Sequence, residues 1–296
     1  ADPLARQRRS AARSAFLLAR GEFPKAALEL RAAIDGLDAA EPGNTAQRDA
    51  LRLDLIATLA LADQDEPALA EGRALIEQAQ GRKDDNELLI ALARLALARA
   101  QGEDHAAAEK LLLQARPVIA ARLGENHSRH ITLLGELLGV AFRRGDWPRA
   151  IDYAQQVHER ARAKFGDQHV RTYMTLVNWA RTLDEAGQAK AALDKASTGY
   201  EQLLRLVGPA SPQTQDAASV LALITLELGD TKRAESLIQQ LDAAVLESGR
   251  PSGLWAQVID ALRGIALQQR GNASAARPVL DAALAAMKDE ETLAQP

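Results

Sequence analysis

The stretch Asn178-Trp179-Ala180-Arg181-Thr182-Leu183-Asp184-Glu185-Ala186-Gly187-Gln188-Ala189-Lys190-Ala191-Ala192-Leu193 spells a helical hairpin. Together with Leu176 just before it, Trp179, Ala180 and Leu183 follow i, i+3, i+4, i+7 spacing, which collects apolar side chains on one face of an α-helix. Gly187 stops that helix, because helices commonly end on a residue of positive φ that glycine adopts without a Cβ clash. Ala192, five residues later, falls where a second helix turns back on the first. A small side chain suits such a crossing, since extra methylenes forced into it cost roughly 1–3 kcal/mol.

Working outward, the same punctuation recurs. Gly102, Gly145, Gly187, Gly229 and Gly271 follow one another at spacings of 43, 42, 42 and 42 residues, and similar steps backward land on Asp63 and Gly21. Five residues after each turn stands an alanine: Ala26, Ala68, Ala107, Ala150, Ala192, Ala234 and Ala276. A second marker, Gly124-x-x-His127, Gly166-x-x-His169 and Gly208-x-x-Ser211, repeats at 42 near the other end of the hairpins. The chain therefore reads as seven helix pairs in one array over residues 1–296, with hairpin turns near 21, 63, 102, 145, 187, 229 and 271. A lone pair cannot bury its apolar stripe, so each must stack on its neighbours.

This pattern resembles the tetratricopeptide repeat in the 42-residue form of kinesin light chains, with the quoted stretch around Gly187 especially similar. The resemblance covers essentially the whole chain and is strongest from about Leu123 to Leu246. It implies an all-α fold, a right-handed α-α superhelix of about seven helix pairs, and a non-catalytic module that binds a protein or peptide. In that family a small residue seven positions before the turn lets the two helices approach. Ser14, Ala180, Ala222 and Gly264 comply, whereas Ile56, Leu95 and Leu138 do not. The Lys-and-Asn clamps by which some members hold a terminal carboxylate find no matching set here.

Local signals agree with the helix pattern. Asn44 with Thr45, Asp84, and Ser211 followed by Pro212 mark helix starts. Pro24 and Pro148 fall in first turns, where a missing N–H is harmless, whereas Pro117 and Pro278 fall inside second helices and predict kinks. Asp63 is the exception among the turn glycines.

Composition narrows function. Aromatics are only 3% of residues against 47% hydrophobic overall, with alanine supplying much of the latter, which suits close helix packing more than a wide core. A net charge of -4 without a long basic stripe argues against nucleic acid as a partner. Zero cysteines exclude disulfides and thiolate metal sites, and leave the compartment open. No apolar run is long enough to insert in a membrane. The start Ala1-Asp2-Pro3 has neither an initiator Met nor a signal-peptide pattern, and reads as a segment of something longer.

No Gly-rich phosphate loop, nucleophile elbow or zinc-protease motif occurs, so no enzyme, cofactor or catalytic residue is assigned. His127 and His130 with His169 invite a metal reading. However, His127 and His169 occupy equivalent repeat positions, one stacking step apart, and no metal site is assigned. Arg6, Arg8, Arg9 and Arg13 read as a solvated helix face or a membrane-adjacent segment.

The resemblance implies that the first helices line the concave side. Counting back ten, six and three residues from each turn yields a face at i, i+4, i+7. It comprises Ala11, Ala15, Leu18, Leu53, Ala57, Ala60, Leu92, Ala96 and Arg99, then Gly135, Gly139, Phe142, Val177, Arg181 and Asp184, and finally Ser219, Leu223, Leu226, Ala261, Ile265 and Gln268. The partner-contacting residues expected from it are Leu92, Arg99, Phe142, Val177, Asn178, Arg181, Leu223, Ile265 and Gln268. Three roles stay open. One is a cytoplasmic scaffold within a larger bacterial regulatory protein. Another is the periplasmic signal-sensing region of a single-span winged-helix transcriptional regulator or kinase, the reading that the Arg and Ala bias and the Met-less start favour. The third is a homodimer, with a second copy covering Val279, Leu280, Ala283 and Leu284 of the last helix.

Overall fold

The structure, a computed structural model, describes residues 2–82, 86–249 and 253–293. Asp84 lies outside them. Those residues form fourteen α-helices and no strand, in two compact units, residues 1–145 and 146–296. The first unit holds α1 (Pro3–Ala19), α2 (Phe23–Ala40), α3 (Thr45–Leu61), α4 (Asp65–Gln80), α5 (Glu87–Arg99), α6 (His105–Leu123) and α7 (Ser128–Arg143). The second holds α8 (Trp147–Phe165), α9 (Val170–Glu185), α10 (Ala189–Val207), α11 (Pro212–Glu227), α12 (Thr231–Glu247), α13 (Gly253–Gln269) and α14 (Ala273–Leu293). Among the described residues no helix is long and apolar enough to cross a membrane.

Backbone geometry explains the beat. Every turn glycine named from the sequence has positive φ, from 53° at Gly102 to 81° at Gly229. Among the described residues, Asp63, at φ 55°, is the non-glycine residue that takes the same conformation. The second markers combine a C-cap with the next N-cap. Gly124, Gly166 and Gly208 close one helix, and the residue three later opens the next. Ser211 Oγ accepts the Thr214 N–H at 3.1 Å, and Asn44 Oδ1 accepts the Gln47 N–H at 3.3 Å. His127 and His169 do the same work through Nδ1, taking the N–H of Arg129 at 3.2 Å and of Arg171 at 3.1 Å. His130 is buried, with Nδ1 2.7 Å from the Glu125 carbonyl oxygen.

Six of the seven marker alanines, Ala26, Ala68, Ala150, Ala192, Ala234 and Ala276, are buried at helix crossings. Ala107 differs. The turn after α5 is one residue longer, so α6 starts three residues after Gly102 instead of two, and Ala108 takes the buried place. The Ala107 N–H instead donates to the Asp104 cap at 2.9 Å. Glycine also supplies closeness from second helices. A Cβ at Gly72 of α4 would meet the Leu97 side chain at 2.3 Å, and one at Gly199 of α10 would meet Val177 Cγ2 at 2.5 Å. Gly264, at the small position of its hairpin, would meet Leu280 at 2.6 Å. Ile56 and Leu95, too large for that pattern, are nonetheless buried. Helices α6 and α14 run on through Pro117 and Pro278.

Within each unit, first helices also pack on first helices: α3 on α5 and α5 on α7, and separately α9 on α11 and α11 on α13. One core gathers Leu30, Leu37, Ile56, Leu59 and Leu75, and another gathers Ala180, Leu203, Leu221, Ile224 and Leu241. This side-by-side packing positions the candidate site.

Candidate polypeptide-binding face

In the first unit, α3, α5 and α7 enclose a cavity of about 250 Å³. Its apolar wall is Leu53 and Ala57 of α3 with Leu92, Leu95 and Ala96 of α5. Period 3.6 brings these positions together, since each pair three or four apart lies on one helix face. Four of the five belong to the i, i+4, i+7 face read from the sequence, and Arg99 from the same face completes one edge. The volume lies below the roughly 300–1,000 Å³ of pockets that enclose a small-molecule ligand, and matches a single large side chain.

Polar groups rim this wall. Asp54 and Arg129 stand on α3 and α7, and Thr132 is one turn further along α7. Burial pushes the Asp54 carboxyl above the usual carboxylate range, and the charge of Arg129 partly opposes it. Arg99 donates to Glu136 Oε1 at 2.6 Å, so its guanidinium is held across α5 and α7. An aliphatic pocket with an acidic edge and a cationic edge can take a hydrophobic side chain and hydrogen-bond the backbone beside it. A larger cavity of about 770 Å³ lies among α2, α3 and α4. Four of its six charged side chains are paired with each other, Arg48 with Asp38 and Arg52 with Glu71, and Arg52 also donates to Gln78 at 2.6 Å.

The corresponding face of the second unit is more closed. Val177 is 1% exposed and packs into Gly199, so it belongs to the hydrophobic core instead of an open groove. Leu226 and Asp184 are buried too, and Leu223 and Ile265 are half-buried against the same core. The approach of α10 at Gly199 covers Val177, and neighbouring first helices pack along the side that carries the others, so positions that one helix considered alone leaves outward are closed. Arg181 remains accessible, donating to Asp216 of α11 at 2.6 Å and to Asn178 at 3.4 Å. Asn178 and Gln268 are exposed, and Phe142 of the first unit is half-buried.

Asp184 is the most perturbed group of the second unit. Its carboxyl is pushed up to about 7, first by burial and then by the charge of and hydrogen bonding with Glu227 and the field of Glu185. Among the described residues no three potential metal-ligating side chains converge.

The face rule missed Asp54, Arg129 and Thr132. Asp54 adjoins Leu53 and so projects about 100° away on an isolated helix; only the neighbouring helices bring it to the cavity edge. Arg129 and Thr132 lie in the first turns of α7, ahead of the three positions counted back from its turn. Counting one more helical turn toward the N-terminus would have reached Thr132.

Comparison with known proteins agrees with this geometry. A model of the tetratricopeptide repeat matches residues 130–201. No curated protein matches. Among solved structures, kinesin light chain TPR-like repeats of Podosopora anserina superpose with a TM-score of 0.61 at 18% identity, over 69% of this chain and 97% of that one. The apo form of RapI gives 0.62 at 10% identity, over 97% and 99%. A Rap protein complexed with competence and sporulation factor gives 0.56 at 12% identity, over 97% and 93%. At these identities the likeness is one of fold.

Proposed function

We propose that this tetratricopeptide-repeat chain is a non-catalytic module that binds a polypeptide segment along its first helices, with one hydrophobic side chain of the partner seated between α3, α5 and α7. The observation that carries this reading is the cavity itself. It is apolar at the base, sized for one side chain, and edged by Asp54, Arg99 and Arg129. A solved relative of this fold holds competence and sporulation factor, which supports a ligand-binding use of such an array.

The test is site-specific photo-crosslinking of the partner. Photoreactive side chains at Ala57 and Ala96 should capture it, and one at the exposed outer position Leu113 should not. Leu92→Glu should abolish capture while leaving the helical circular dichroism unchanged. Capture from Leu113 alone, or undiminished capture by a folded Leu92→Glu chain, would sink the proposal.

A further inference from the structure

The outward side of α1 carries a charge that the rest of the chain does not. This helix contains Arg6, Arg8, Arg9 and Arg13 and no acidic residue, in a protein of net charge -4. Its buried residues, Gln7, Ser10 and Ser14, occupy one side, and the arginines are exposed on the other. At 3.6 residues per turn, Ala5, Ala12, Phe16 and Ala19 fall in one exposed stripe, and Arg9, Arg13 and Arg6 form a band beside it. Arg20, just past the helix, extends that band.

Phe16 is 60% exposed, which is unusual for so large an apolar ring, and the Arg20 guanidinium lies 5.6 Å from its centre. Arg13 pairs with Glu29 at 3.1 Å and Arg20 with Glu22 at 2.8 Å, while both guanidinium groups stay largely open to solvent. Arg6, Arg8 and Arg9 have no acidic partner among the described residues.

We infer that this face is a docking surface for an anionic phospholipid bilayer. An apolar stripe beside a cationic band is the arrangement by which a helix lies in a membrane interface. The Ala and Phe16 stripe enters the headgroup layer, and the arginines meet lipid phosphates, to which guanidinium donates in a paired fork. Shape favours a bilayer over a polypeptide segment. The face is the convex outside of one helix, whereas the cavities of this unit described above open between other helices. A flat anionic surface meets every exposed arginine at once. A single short stripe of this kind gives reversible, salt-sensitive attachment and not insertion.

Flotation of the full chain with lipid vesicles tests this. Vesicles containing about 30% phosphatidylglycerol should carry the protein at about 0.05 M salt and release it at about 0.5 M, and neutral phosphatidylcholine vesicles should not carry it. Replacing Arg6, Arg8 and Arg9 together with Gln should weaken partitioning roughly a hundredfold, at about fivefold for each arginine near the surface. Phe16→Ala should weaken it several-fold. All four side chains are exposed, so circular dichroism melting should stay at the parental temperature and separate lost docking from lost fold. Absence of binding by the parent chain, equal binding to neutral vesicles, or undiminished binding by the triple variant overturns the inference. So does tighter binding to polyglutamate or duplex DNA than to the vesicles.

Discussion

Asp184→Asn should stabilise the second unit at neutral and alkaline pH and do almost nothing in acid. Asp184 sits at the end of α9, 8% exposed, with Oδ1 lacking a hydrogen-bond partner and Glu227 of α11 beside it. Because its carboxyl is raised from an ordinary 3.8 to about 7, the folded chain retains a proton that the unfolded chain has released. Stability is therefore unaffected by this group below pH 3.8, falls as pH rises through the window to about 7, and levels off above it. At 1.36 kcal/mol per tenfold change in proton affinity, the full effect is about 4 kcal/mol. Glu227 opens to solvent, which screens the repulsion, so about 1–2 kcal/mol is the expected gain for Asn.

An amide keeps the shape, donates to the Glu227 carboxylate and carries no charge. Urea unfolding followed by circular dichroism at about pH 3.5 and about pH 8 reads the difference. The two proteins should coincide in acid and separate in alkali, with Glu227→Gln moving in the same direction as Asp184→Asn. Parallel pH profiles for Asp184→Asn and the parent, or a variant weaker than the parent at pH 8, would refute the reasoning.

Asp63→Gly should raise thermal stability by about 0.5–1 kcal/mol, because aspartate pays for a left-handed backbone that the six turn glycines reach freely; an unchanged melting temperature counts against strain there. Gly199→Ala should cost about 1–3 kcal/mol through its collision with Val177, and Val177→Ala should recover part of that loss in the double variant. Strict additivity in that cycle would show that the two positions do not touch. Ala150→Leu should destabilise by about 1–3 kcal/mol, since Ala150 is 0% exposed at its crossing; a parental denaturation midpoint would count against the register.

The 42-residue rhythm was legible because each of its marks has a local cause. A glycine before a helix start answers a positive φ, an Asn, Ser or Asp takes an unpaired helix N–H, and an alanine recurs where two helices cross. Such requirements act over a few residues, so the chain order displays them directly. Even His127 and His169 declare their role once seen as equivalents: identical repeat positions receive identical caps.

What tertiary structure decided was coverage. Helical periodicity says which side of α9 Val177 occupies, but only the approach of α10 at Gly199 puts it out of solvent's reach. Asp54, Arg129 and Thr132 come from two helices far apart in sequence and share one cavity because α3, α5 and α7 stack at a particular distance and rotation. One added residue in the turn before α6 moved the buried alanine from 107 to 108. Local chemistry thus wrote the helices and their ends, while packing between distant segments chose which of their faces remain open to bind.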